Sequence, residues 1–585
     1  MVEQLEKEFR VGTRSLDYSI KIGGEAGQGI QTVGDTLAKV FSRAGYYVFT
    51  HQDYESRIRG GHNFFQIRFS DGPVGAPKER IDIIVALDKE SIARHEKELT
   101  AGGIIIYDSL TLKEKYEKAG FLDVPFVSLA GEDGGRMANT VAIGAVLGIL
   151  KFDLAIFTGV IDAVFRKKGE DVIQANIEAA RSGHDFAVKQ CRQCSLATAP
   201  FSKPRMLITG ADAIALGALA SGCKFYSAYP MTPSTGIMNY LAGKEEEYGI
   251  IVEQAEDEIA AVNMAIGASF AGVRAMTGTA GGGFSLMVEG LSLAGMTETP
   301  IVVAVGQRPA PATGLPTRTE QGDLLFVIHA AHGEFPRVVF APGTPEQAFH
   351  LTNKAFDIAE KFQIPAFVIF DQYLADSAWT YDGFDSGAVR FEDYRLRGEE
   401  FRKIESYRRH AFTDTGVTPL GVPGDSTNLV VTDSDEHDEE GHITEDAETR
   451  TRMVQKRFVR KLPLIRKEIA PPDFYGSDRP ETVIVGWGST YGVLKEVVDA
   501  LSQEKKIALI HFSEIYPFPG TEQFDYLKVL RDAKLSLCVE NNAAGQFSRL
   551  MRMETGYEFP CRISRFDGRP FTVEGVLKEM DRVPM

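Results

Sequence analysis

Cysteine is scarce in this chain, with five residues among 585. That number excludes a disulfide framework of the kind that stabilises small secreted proteins. Cys191 and Cys194 form the one CxxC pair in the sequence, and without a second pair they do not complete the four thiolates of a zinc or iron–sulfur site. We interpret the two as ordinary thiols, with a metal or redox role as the alternative.

Long apolar runs and an excess of basic residues are also missing. No apolar run approaches the roughly 18 residues that a membrane-spanning helix needs. The net charge of −17 argues against nucleic acid as a partner, because that binding depends on clustered Lys and Arg. The first residues, MVEQLEKEFRVG, lack the apolar stretch of a signal peptide. We therefore expect a cytoplasmic protein with no membrane and no nucleic-acid partner.

The chain is long enough for several domains, because single cores stop growing near ~250–300 residues. Residues 16–198 alternate apolar strands, glycine turns and amphipathic helices, which is typical of a parallel sheet with helices on its faces, and residues 199–205 are predicted to be a linker. Residues 206–377 repeat the pattern with near-continuous apolar runs, as expected of strands buried on both faces. The alternation of apolar and polar residues is lost over 378–480, which we predict to be an irregular acidic connection, with a partly mobile segment as the alternative. A small α/β domain is predicted for 481–585. The predicted fold class is α/β with several parallel-sheet domains.

A double-proline turn, AYPMTPST, follows a predicted apolar strand within residues 206–377. Ligands bind at the carboxyl ends of strands in open α/β sheets. Pro230 and Pro233 restrict the backbone of the turn, which leaves the hydroxyls of Thr232 and Ser234 as oriented groups. Ser234 or Thr235 is also predicted to cap the helix that follows.

An acidic helix start comes next, in EQAEDEIAAVNMAIGASFAG. Glu256, Asp257 and Glu258 precede small residues that allow the helix to pack closely against another backbone or a ligand. These acids have a second interpretation as a solvated first turn that interacts favourably with the helix dipole.

The turn and the acidic helix together resemble the α subunit of 2-oxoacid:ferredoxin oxidoreductases, in the type that fuses a γ domain to α. The resemblance implies that Glu258 bonds N1′ of the aminopyrimidine of thiamine diphosphate and is the catalytic carboxylate. It places Tyr229, Pro230 and Thr279 on the pyrimidine side of the cofactor and Thr232 at the 2-oxoacid carboxylate. The sequence TGTAGGG, which contains Thr279 and ends at Gly283, departs from the TSGPG pattern of the family, although its glycines still allow a close backbone approach.

Two arginines lie in the loop AVGQRPAPATGLPTRTEQGDL. A carboxylate substrate is bound well by the planar fork of an arginine. By resemblance Arg308 binds the C1 carboxylate of the 2-oxoacid. Arg318 is a candidate for a distal carboxylate, or else for the structure of the loop.

The first region contains GGEAGQG between a predicted strand and helix. It is either part of a nucleotide-binding loop or a tight turn that needs the same glycines. This segment and ESRIRGGHNFFQIR resemble the γ domain of the same family, which implies that Gly27, Gly29, Arg57 and Arg59 border the route of coenzyme A.

The segment EHDEEGH contains His437 and His442 among carboxylates. Its spacing fits no zinc signature, so an acidic loop is the preferred interpretation and no metal site is assigned to this chain.

The family pattern holds the cofactor's diphosphate through Mg²⁺ and a GDG motif, which this sequence lacks, and Asn541-Asn542 has no such partner upstream. A [4Fe–4S] cluster for electron transfer to ferredoxin is missing as well. The resemblance therefore implies a β subunit that carries Mg²⁺ and the cluster, a shared thiamine diphosphate site, and an (αβ)2 heterotetramer, so this chain alone should be inactive. Its domains are then γ-like, pyrimidine-binding and transketolase C-terminal-like.

The implied reaction converts a 2-oxoacid, coenzyme A and two oxidised ferredoxins to acyl-CoA, CO2 and two reduced ferredoxins. It is reversible, and in the direction of CO2 fixation it belongs to the reductive TCA cycle. The fusion and the GLPTRTEQGDL loop most resemble 2-oxoglutarate enzymes, which form succinyl-CoA, with 2-oxobutyrate, pyruvate or branched 2-oxoacids as alternatives. Two rival interpretations are a ferredoxin-independent thiamine enzyme component and a nucleotide-binding regulatory module.

Overall fold

The computed structural model describes residues 16–57, 60–131, 134–191, 196, 198 and 201–583. These residues form two compact units. The first contains the described parts of Met1–Ile208 together with Ser377–Phe384 and Thr572–Lys578. The second contains Thr209–Asp376, Asp385–Phe571 and the described residues after Lys578. None of the helices among the described residues has the length and apolar character needed to cross a membrane.

The strands are β1 Asp17–Ala26, β2 Tyr47–Asp53, β3 Gly60–Ser70, β4 Ile81–Ala86, β5 Leu99–Tyr107, β6 Phe121–Asp123, β7 Met206–Thr209, β8 Cys223–Ala228, β9 Ile251–Gln254, β10 Arg274–Ala280, β11 Ile301–Gln307, β12 Val338–Phe340, β13 Pro365–Asp371, β14 Ala378–Tyr381, β15 Arg395–Leu396, β16 Leu420–Gly421, β17 Asp473–Gly476, β18 Thr482–Trp487, β19 Ile507–Phe512, β20 Glu514–Tyr516, β21 Leu535–Glu540 and β22 Cys561–Ser564. The α-helices are Ile30–Arg43, Lys89–His95, Ser109–Leu112, Phe126–Leu129, Gly134–Ile149, Leu154–Phe165, Glu170–Gln190, Gly210–Ala220, Thr235–Ala242, Glu245–Tyr248, Glu258–Phe270, Gly281–Met296, Leu324–His329, Pro345–Phe362, Gln372–Asp376, Gly398–Arg402, Ala447–Val454, Lys461–Glu468, Tyr491–Leu501, Tyr526–Asp532, Gln546–Thr555 and Val573–Met580. A π-helix spans Gln455–Arg460, and short 3₁₀ turns span Glu96–Glu98, Arg166–Lys168, Ser386–Ala388 and Gly488–Thr490.

The first unit is built on an eight-stranded sheet in the order β6-β5-β4-β1-β3-β2-β14-β7. Strands β1, β4, β5 and β6 are parallel, as predicted, whereas β3 is antiparallel to both β1 and β2. The expectation of a parallel sheet is therefore wrong for this half. Residues 54–59 are the whole connection between β2 and β3, and so short a link forces neighbouring strands to pair antiparallel.

The helix Ile30–Arg43 packs on this sheet through apolar residues spaced at three and four positions. Val33, Leu37 and Phe41 are buried along one face, and the ring of Phe41 stacks on that of Phe69 with centroids 4.0 Å apart. Burying this stripe is what stabilises an amphipathic helix in a folded protein.

The second unit contains a seven-stranded sheet in the order β20-β12-β13-β11-β10-β8-β9. All its neighbours pair in parallel except β20, which is antiparallel to β12. Strands β11 and β13 are buried along their whole length, which confirms the prediction made from their apolar runs. The predicted α/β fold class is confirmed.

A five-stranded sheet, β17-β19-β18-β21-β22, completes the second unit. Strand β20 comes from the same C-terminal region yet extends the seven-stranded sheet, where Tyr516 pairs with Val339. Strand β14, at the start of the predicted acidic connection, belongs instead to the first unit, where Trp379 pairs with Phe49. The boundaries of the five predicted regions stay predictions.

Residues 385–480 contain little regular structure but several buried charges. Lys456 and Lys461 both donate hydrogen bonds to the carboxylate of Glu298, and His410 Nδ1 lies 3.2 Å from Glu298 Oε1. Each of the four side chains is at most 2% exposed. Burial would raise the pKa of Glu298, but the two lysine charges hold it well below its ordinary value. We call these four residues the Glu298 cluster. It joins the irregular segment to the connection between the helix Gly281–Met296 and β11, where Glu298 lies.

Candidate functional site

The predicted site residues of the second unit follow the carboxyl ends of four neighbouring parallel strands. The double-proline turn follows β8, the helix of Glu258 follows β9, a glycine run follows β10, and Arg308 follows β11. Because β11, β10, β8 and β9 are adjacent in that order, these segments share one edge of the sheet. This is where ligands bind in parallel α/β sheets.

Glu258 is the first residue of the helix Glu258–Phe270. The carboxylate of Asp257 caps that helix by accepting a hydrogen bond from Ala260 N at 2.7 Å, so Glu258 is not needed as the cap. Glu258 is 4% exposed, and its Oε1 is buried with no hydrogen-bond partner. Burial raises the pKa of Glu258 above its ordinary value, and the charge of Asp257 adds in the same direction. The alternative of a solvated first-turn acid is therefore wrong for Glu258.

Gly283 leaves the space that the Glu258 carboxylate occupies. A Cβ built on Gly283 would lie 2.4 Å from Glu258 Oε1 and 2.2 Å from Thr279 Oγ1. No side chain fits at those distances, so Glu258 and Thr279 are brought together by the missing Cβ. A buried, unpartnered carboxylate oxygen costs free energy unless a bound donor satisfies it. The arrangement fits the aminopyrimidine of thiamine diphosphate, which requires one carboxylate in a dry pocket.

The double-proline turn holds Thr232 close to Arg308. Arg308 Nη1 donates a hydrogen bond to the backbone oxygen of Thr232 at 2.8 Å. Tyr229 is 41% exposed, and Pro230 is half-buried. The prediction that Ser234 or Thr235 caps the next helix is wrong. Ser234 occupies the cap position, but its hydroxyl donates to Met231 O at 2.8 Å and accepts no helix amide.

Asp323 is a site residue that sequence reasoning missed. Its carboxylate covers Gly281, where a Cβ would lie 2.6 Å from Asp323 Oδ2. Burial raises the pKa of Asp323 to about 6, although the charge of Arg308 opposes the shift. Burial also lowers the pKa of Arg308. In the sequence, Asp323 precedes the helix Leu324–His329 and so has the pattern of an ordinary capping residue, but its side chain makes no capping bond.

Arg318 lies in the same loop as Arg308 but beside a different segment. A Cβ on Gly568 would lie 3.1 Å from Arg318 Cβ. Three residues further on, Gln321 donates to Trp487 O at 2.8 Å and accepts from Asn541 N at 2.9 Å. The loop is thus anchored on the five-stranded sheet, and Asn541 serves in that anchor. The role of Arg318 stays a prediction.

Three of the four residues predicted to border coenzyme A are among the described residues of the first unit. Gly27 and Gly29 have φ of 95° and 78°, and Gly29 precedes the helix Ile30–Arg43. A Cβ on Gly29 would lie 2.2 Å from Asn139 Nδ2, so packing alone requires this glycine. Arg57 is exposed and pairs with Glu55 at 3.1 Å, and Arg59 lies outside the described residues.

The remaining candidate ligands show ordinary structural roles. The prediction of an ordinary thiol is wrong for Cys191, which is disulfide-bonded, and Cys194 lies outside the described residues. His437 is fully buried and packs on His410 with ring centroids 4.0 Å apart. His442 lies near Asp438 and Glu440. Asp438 Oδ1, however, accepts hydrogen bonds from the backbone N–H groups of Glu440 and His442 and so closes a turn.

Two protein families match the chain. The family described as pyruvate ferredoxin/flavodoxin oxidoreductase matches residues 19–186, and the family described as pyruvate flavodoxin/ferredoxin oxidoreductase, thiamine diP-bdg, matches residues 216–456. The 2-oxoacid:ferredoxin oxidoreductase subunit alpha of Sulfolobus sp is 32% identical over 94% of this chain and 94% of its own length. The chain belongs to the α subunits of the 2-oxoacid:ferredoxin oxidoreductases.

Two further similarities concern members named for 2-oxoglutarate. The 2-oxoglutarate synthase subunit KorA of Methanocaldococcus jannaschii is 33% identical over 56% of this chain and 86% of its own length. A solved structure of the 2-oxoglutarate:ferredoxin oxidoreductase from Magnetococcus marinus, with 2-oxoglutarate, coenzyme A and succinyl-CoA bound, is 30% identical, with a TM-score of 0.87 over 97% of this chain and 99% of that chain.

Membership of this family makes the protein a subunit of an oxidoreductase that acts on 2-oxoacids and contains a thiamine diphosphate-binding domain. It sets aside both the ferredoxin-independent enzyme component and the regulatory module.

Proposed function

We propose that this α subunit supplies the pyrimidine half of a thiamine diphosphate site for the oxidation of 2-oxoglutarate. In that reaction 2-oxoglutarate and coenzyme A give succinyl-CoA and CO2, and two oxidised ferredoxins accept the electrons and become reduced. The observation that supports it most is the buried Oε1 of Glu258, which has no partner in a pocket shaped by Gly283. The preference for 2-oxoglutarate is supported by the relatives named for that substrate.

Thiamine diphosphate, when bound, supplies the carbon acid and the electron sink of the reaction. The part of Glu258 is to hold a proton at N1′ of the aminopyrimidine. Its raised pKa suits that part, since a carboxyl with a pKa nearer neutrality shares a proton with a ring nitrogen more evenly. Thr279 and Gly283 keep the carboxylate in place, and Tyr229 and Pro230 border the cofactor in this proposal.

Arg308 and Thr232 are proposed to bind the C1 carboxylate of the 2-oxoacid. A guanidinium has five N–H donors in a planar fork, and the bond to Thr232 O sets the orientation of that fork. Arg318 is the proposed contact of the distal carboxylate, while Gly27, Gly29, Arg57 and Arg59 are proposed for coenzyme A. Mg²⁺, the [4Fe–4S] cluster and the ferredoxin contact are assigned to a β subunit in an (αβ)2 assembly in the cytoplasm.

The deciding experiment replaces Glu258 by Gln in the complex of this chain with its β subunit. We expect the variant to fold normally and to lose about 10²–10⁴-fold in 2-oxoacid oxidation, because an amide does not hold the proton at N1′. Glu256→Gln is the matched control, since Glu256 is exposed and lies two residues earlier. Turnover of Glu258→Gln equal to that of the control would remove the assignment.

Substrate preference is measured separately, as kcat/KM for 2-oxoglutarate, pyruvate and 2-oxobutyrate. The relatives named only for 2-oxoacids make a broader preference the second candidate. Equal values for the three substrates would favour that broader enzyme and leave the Glu258 assignment untouched.

A further inference from the structure

The start of the helix Gly281–Met296 borders two carboxyl groups, of which the proposed function uses one. The missing Cβ of Gly283 leaves room for Glu258. Two residues earlier, Gly281 does the same for Asp323, since a Cβ there would lie 2.6 Å from Asp323 Oδ2 and 2.9 Å from Oδ1. A helix start attracts negative charge, which suits a carboxylate in that position.

Asp323 lies at the same strand end as Arg308, because the two residues begin and end one loop. The backbone N–H of Asp323 donates to Gln307 Oε1 at 3.1 Å, and Gln307 is the last residue of β11 and directly precedes Arg308. Arg308 in turn donates to Thr232 O. Gly282 is exposed, and a Cβ there would meet nothing within 4 Å, so the helix start beside this loop is open to a ligand.

The Asp323 carboxylate depends on Arg308 for its charge. Asp323 is 9% exposed, and among the described residues no donor forms a hydrogen bond to its carboxylate. Burial raises the pKa of Asp323 to about 6, and the charge of Arg308 opposes that shift. Burial likewise lowers the pKa of Arg308, and the charge of Asp323 opposes that change. Each group therefore stabilises the ionised form of the other.

The remaining charges around Asp323 do not replace Arg308. Glu320 is near enough for the charge of Asp323 to raise its pKa, so it disfavours the ionised form of Asp323 in return. The first turn of the helix packed on Asp323 through Gly281 contains no charged residue. The helix that follows Asp323 has one titratable side chain, that of the exposed His329.

We propose that Asp323 is a positioning residue that competes with the 2-oxoacid for Arg308, so that binding of the substrate carboxylate is coupled to proton uptake by Asp323. In the empty site the ionised Asp323 holds the guanidinium of Arg308. A bound carboxylate takes over that guanidinium and adds a like charge, and both effects favour the protonated form of Asp323. This inference rests on the proposed function, in which Arg308 binds the C1 carboxylate.

The sign of the pH dependence follows from this coupling. Affinity is higher where Asp323 already carries the proton, so it should be constant below about pH 6, the pKa in the empty site. It should fall as the pH rises from there towards the higher pKa of the substrate complex. A neighbouring charge typically shifts the pKa of a carboxyl group by about one unit or more, so the fall should be about 10-fold.

The experiment measures kcat/KM for 2-oxoglutarate between pH 5.5 and 8 in the complex with the β subunit, for the parent and for Asp323→Asn. The readout is the ratio of the variant's kcat/KM to the parent's at each pH, because titrations that both proteins share cancel in it. We expect the ratio to be constant below about pH 6 and to rise about 10-fold by pH 8, since the amide stays neutral. A merely structural role of Asp323 would change the ratio by the same factor at every pH.

Glu320→Gln is the matched control, because Glu320 is a partly buried acid three residues earlier in the same loop. Its ratio to the parent should stay nearly constant with pH. In an Arg308→Ala background, the rise caused by Asp323→Asn should move to higher pH, because Arg308 holds the pKa of Asp323 down. That shift distinguishes an action through Arg308 from a direct effect on the substrate.

A pH-dependent ratio for Asp323→Asn that moves when Arg308 is removed supports the proposal. A ratio that is constant with pH, an equal rise for Glu320→Gln, or a rise that stays in place without Arg308 overturns it. Failure of the proposed function gives different results: undiminished turnover of Glu258→Gln removes the cofactor assignment, and an undiminished kcat/KM of Arg308→Ala removes the carboxylate contact. If Arg308→Ala lowers kcat/KM and the Asp323→Asn ratio is constant, the coupling alone is wrong.

Discussion

Replacing Gly283 by alanine tests the central geometric claim about the candidate site. The new Cβ would lie 2.2 Å from Thr279 Oγ1, 2.4 Å from Glu258 Oε1 and 2.7 Å from Glu258 Cδ. Contacts below 3 Å do not persist, so the Glu258 carboxylate must rotate away or the helix Gly281–Met296 must shift. Both responses move the carboxylate out of the position that N1′ of the cofactor would require.

Two opposing effects set the cost to stability. Overpacking a tight site costs about 1–3 kcal/mol, and replacing glycine by alanine within a helix returns about 1 kcal/mol. The expected net change is a loss of between about zero and 2 kcal/mol in the free energy of unfolding, which leaves the protein folded. Activity should fall far more, by about 10²–10⁴-fold, because the acid–base contribution of Glu258 is lost with its position.

The assay compares 2-oxoacid oxidation by the complex with thermal unfolding of the same preparation. Gly267→Ala is the matched control: Gly267 lies in the helix that Glu258 begins, and a Cβ there meets nothing within 4 Å. This control should be slightly more stable than the parent and fully active. Full activity of Gly283→Ala would refute the reasoning, because the carboxylate could not then lie where the structure places it.

Three further predictions follow from the charges of the second unit. Asp323→Asn should raise the free energy of unfolding above pH 6 by up to about 3 kcal/mol and leave it unchanged near pH 4. The reason is that the raised pKa of Asp323, about 6, makes the ionised carboxyl unfavourable only at higher pH. Equal shifts of the melting temperature at pH 4 and pH 7 would contradict this prediction. Arg308→Ala should lower kcat/KM for every 2-oxoacid by the equivalent of about 1.5–3 kcal/mol. Arg318→Ala should lower kcat/KM for 2-oxoglutarate more than for pyruvate. Equal losses for these two substrates would exclude a contact of Arg318 with the distal carboxylate. Glu298→Gln should lower the free energy of unfolding, measured by denaturant titration, by about 3–5 kcal/mol. Adding Lys456→Met should recover part of that loss, because it removes the ammonium of Lys456, which would otherwise stay buried beside an uncharged partner.

The sequence was informative about the site wherever a residue's position in a parallel sheet decides its place. Thr232 and Arg308 each follow an apolar run that forms a strand, and Glu258 follows the short strand Ile251–Gln254. Parallel strands bring their carboxyl ends to one edge regardless of the connecting segments. The resemblance then selected which of the polar residues at that edge to consider. Gly283 was visible only as part of a glycine run, and its contact with Glu258 depends on helix packing that no local pattern encodes.

Features that depend on contacts between distant residues were not predicted. Glu298 and Lys456 are 158 positions apart, so the pair leaves no spacing signal. Asp323 directly precedes a helix in the sequence, as a capping residue does, whereas burial raises its pKa and the charge of Arg308 opposes that shift. Likewise, the antiparallel pairing of β2 and β3 follows from their short connection, in a region where the alternation of strands and helices suggested parallel strands throughout.

The irregular segment 385–480 supports the candidate site through the Glu298 cluster. The helix Gly281–Met296 begins with the glycines beneath Glu258 and Asp323, and β11 ends at the residue before Arg308. The short connection between that helix and that strand contains Glu298, and Arg409 donates to the backbone oxygens of Thr297 and Glu298 at 3.2 and 2.7 Å. Both elements that position the site are thus held, at the ends opposite their functional residues, by charges from a segment with little regular structure. A rigid element anchored at one end transmits small displacements to the other. Loosening the Glu298 cluster should therefore shift Gly283 and Arg308 together, although neither residue touches it.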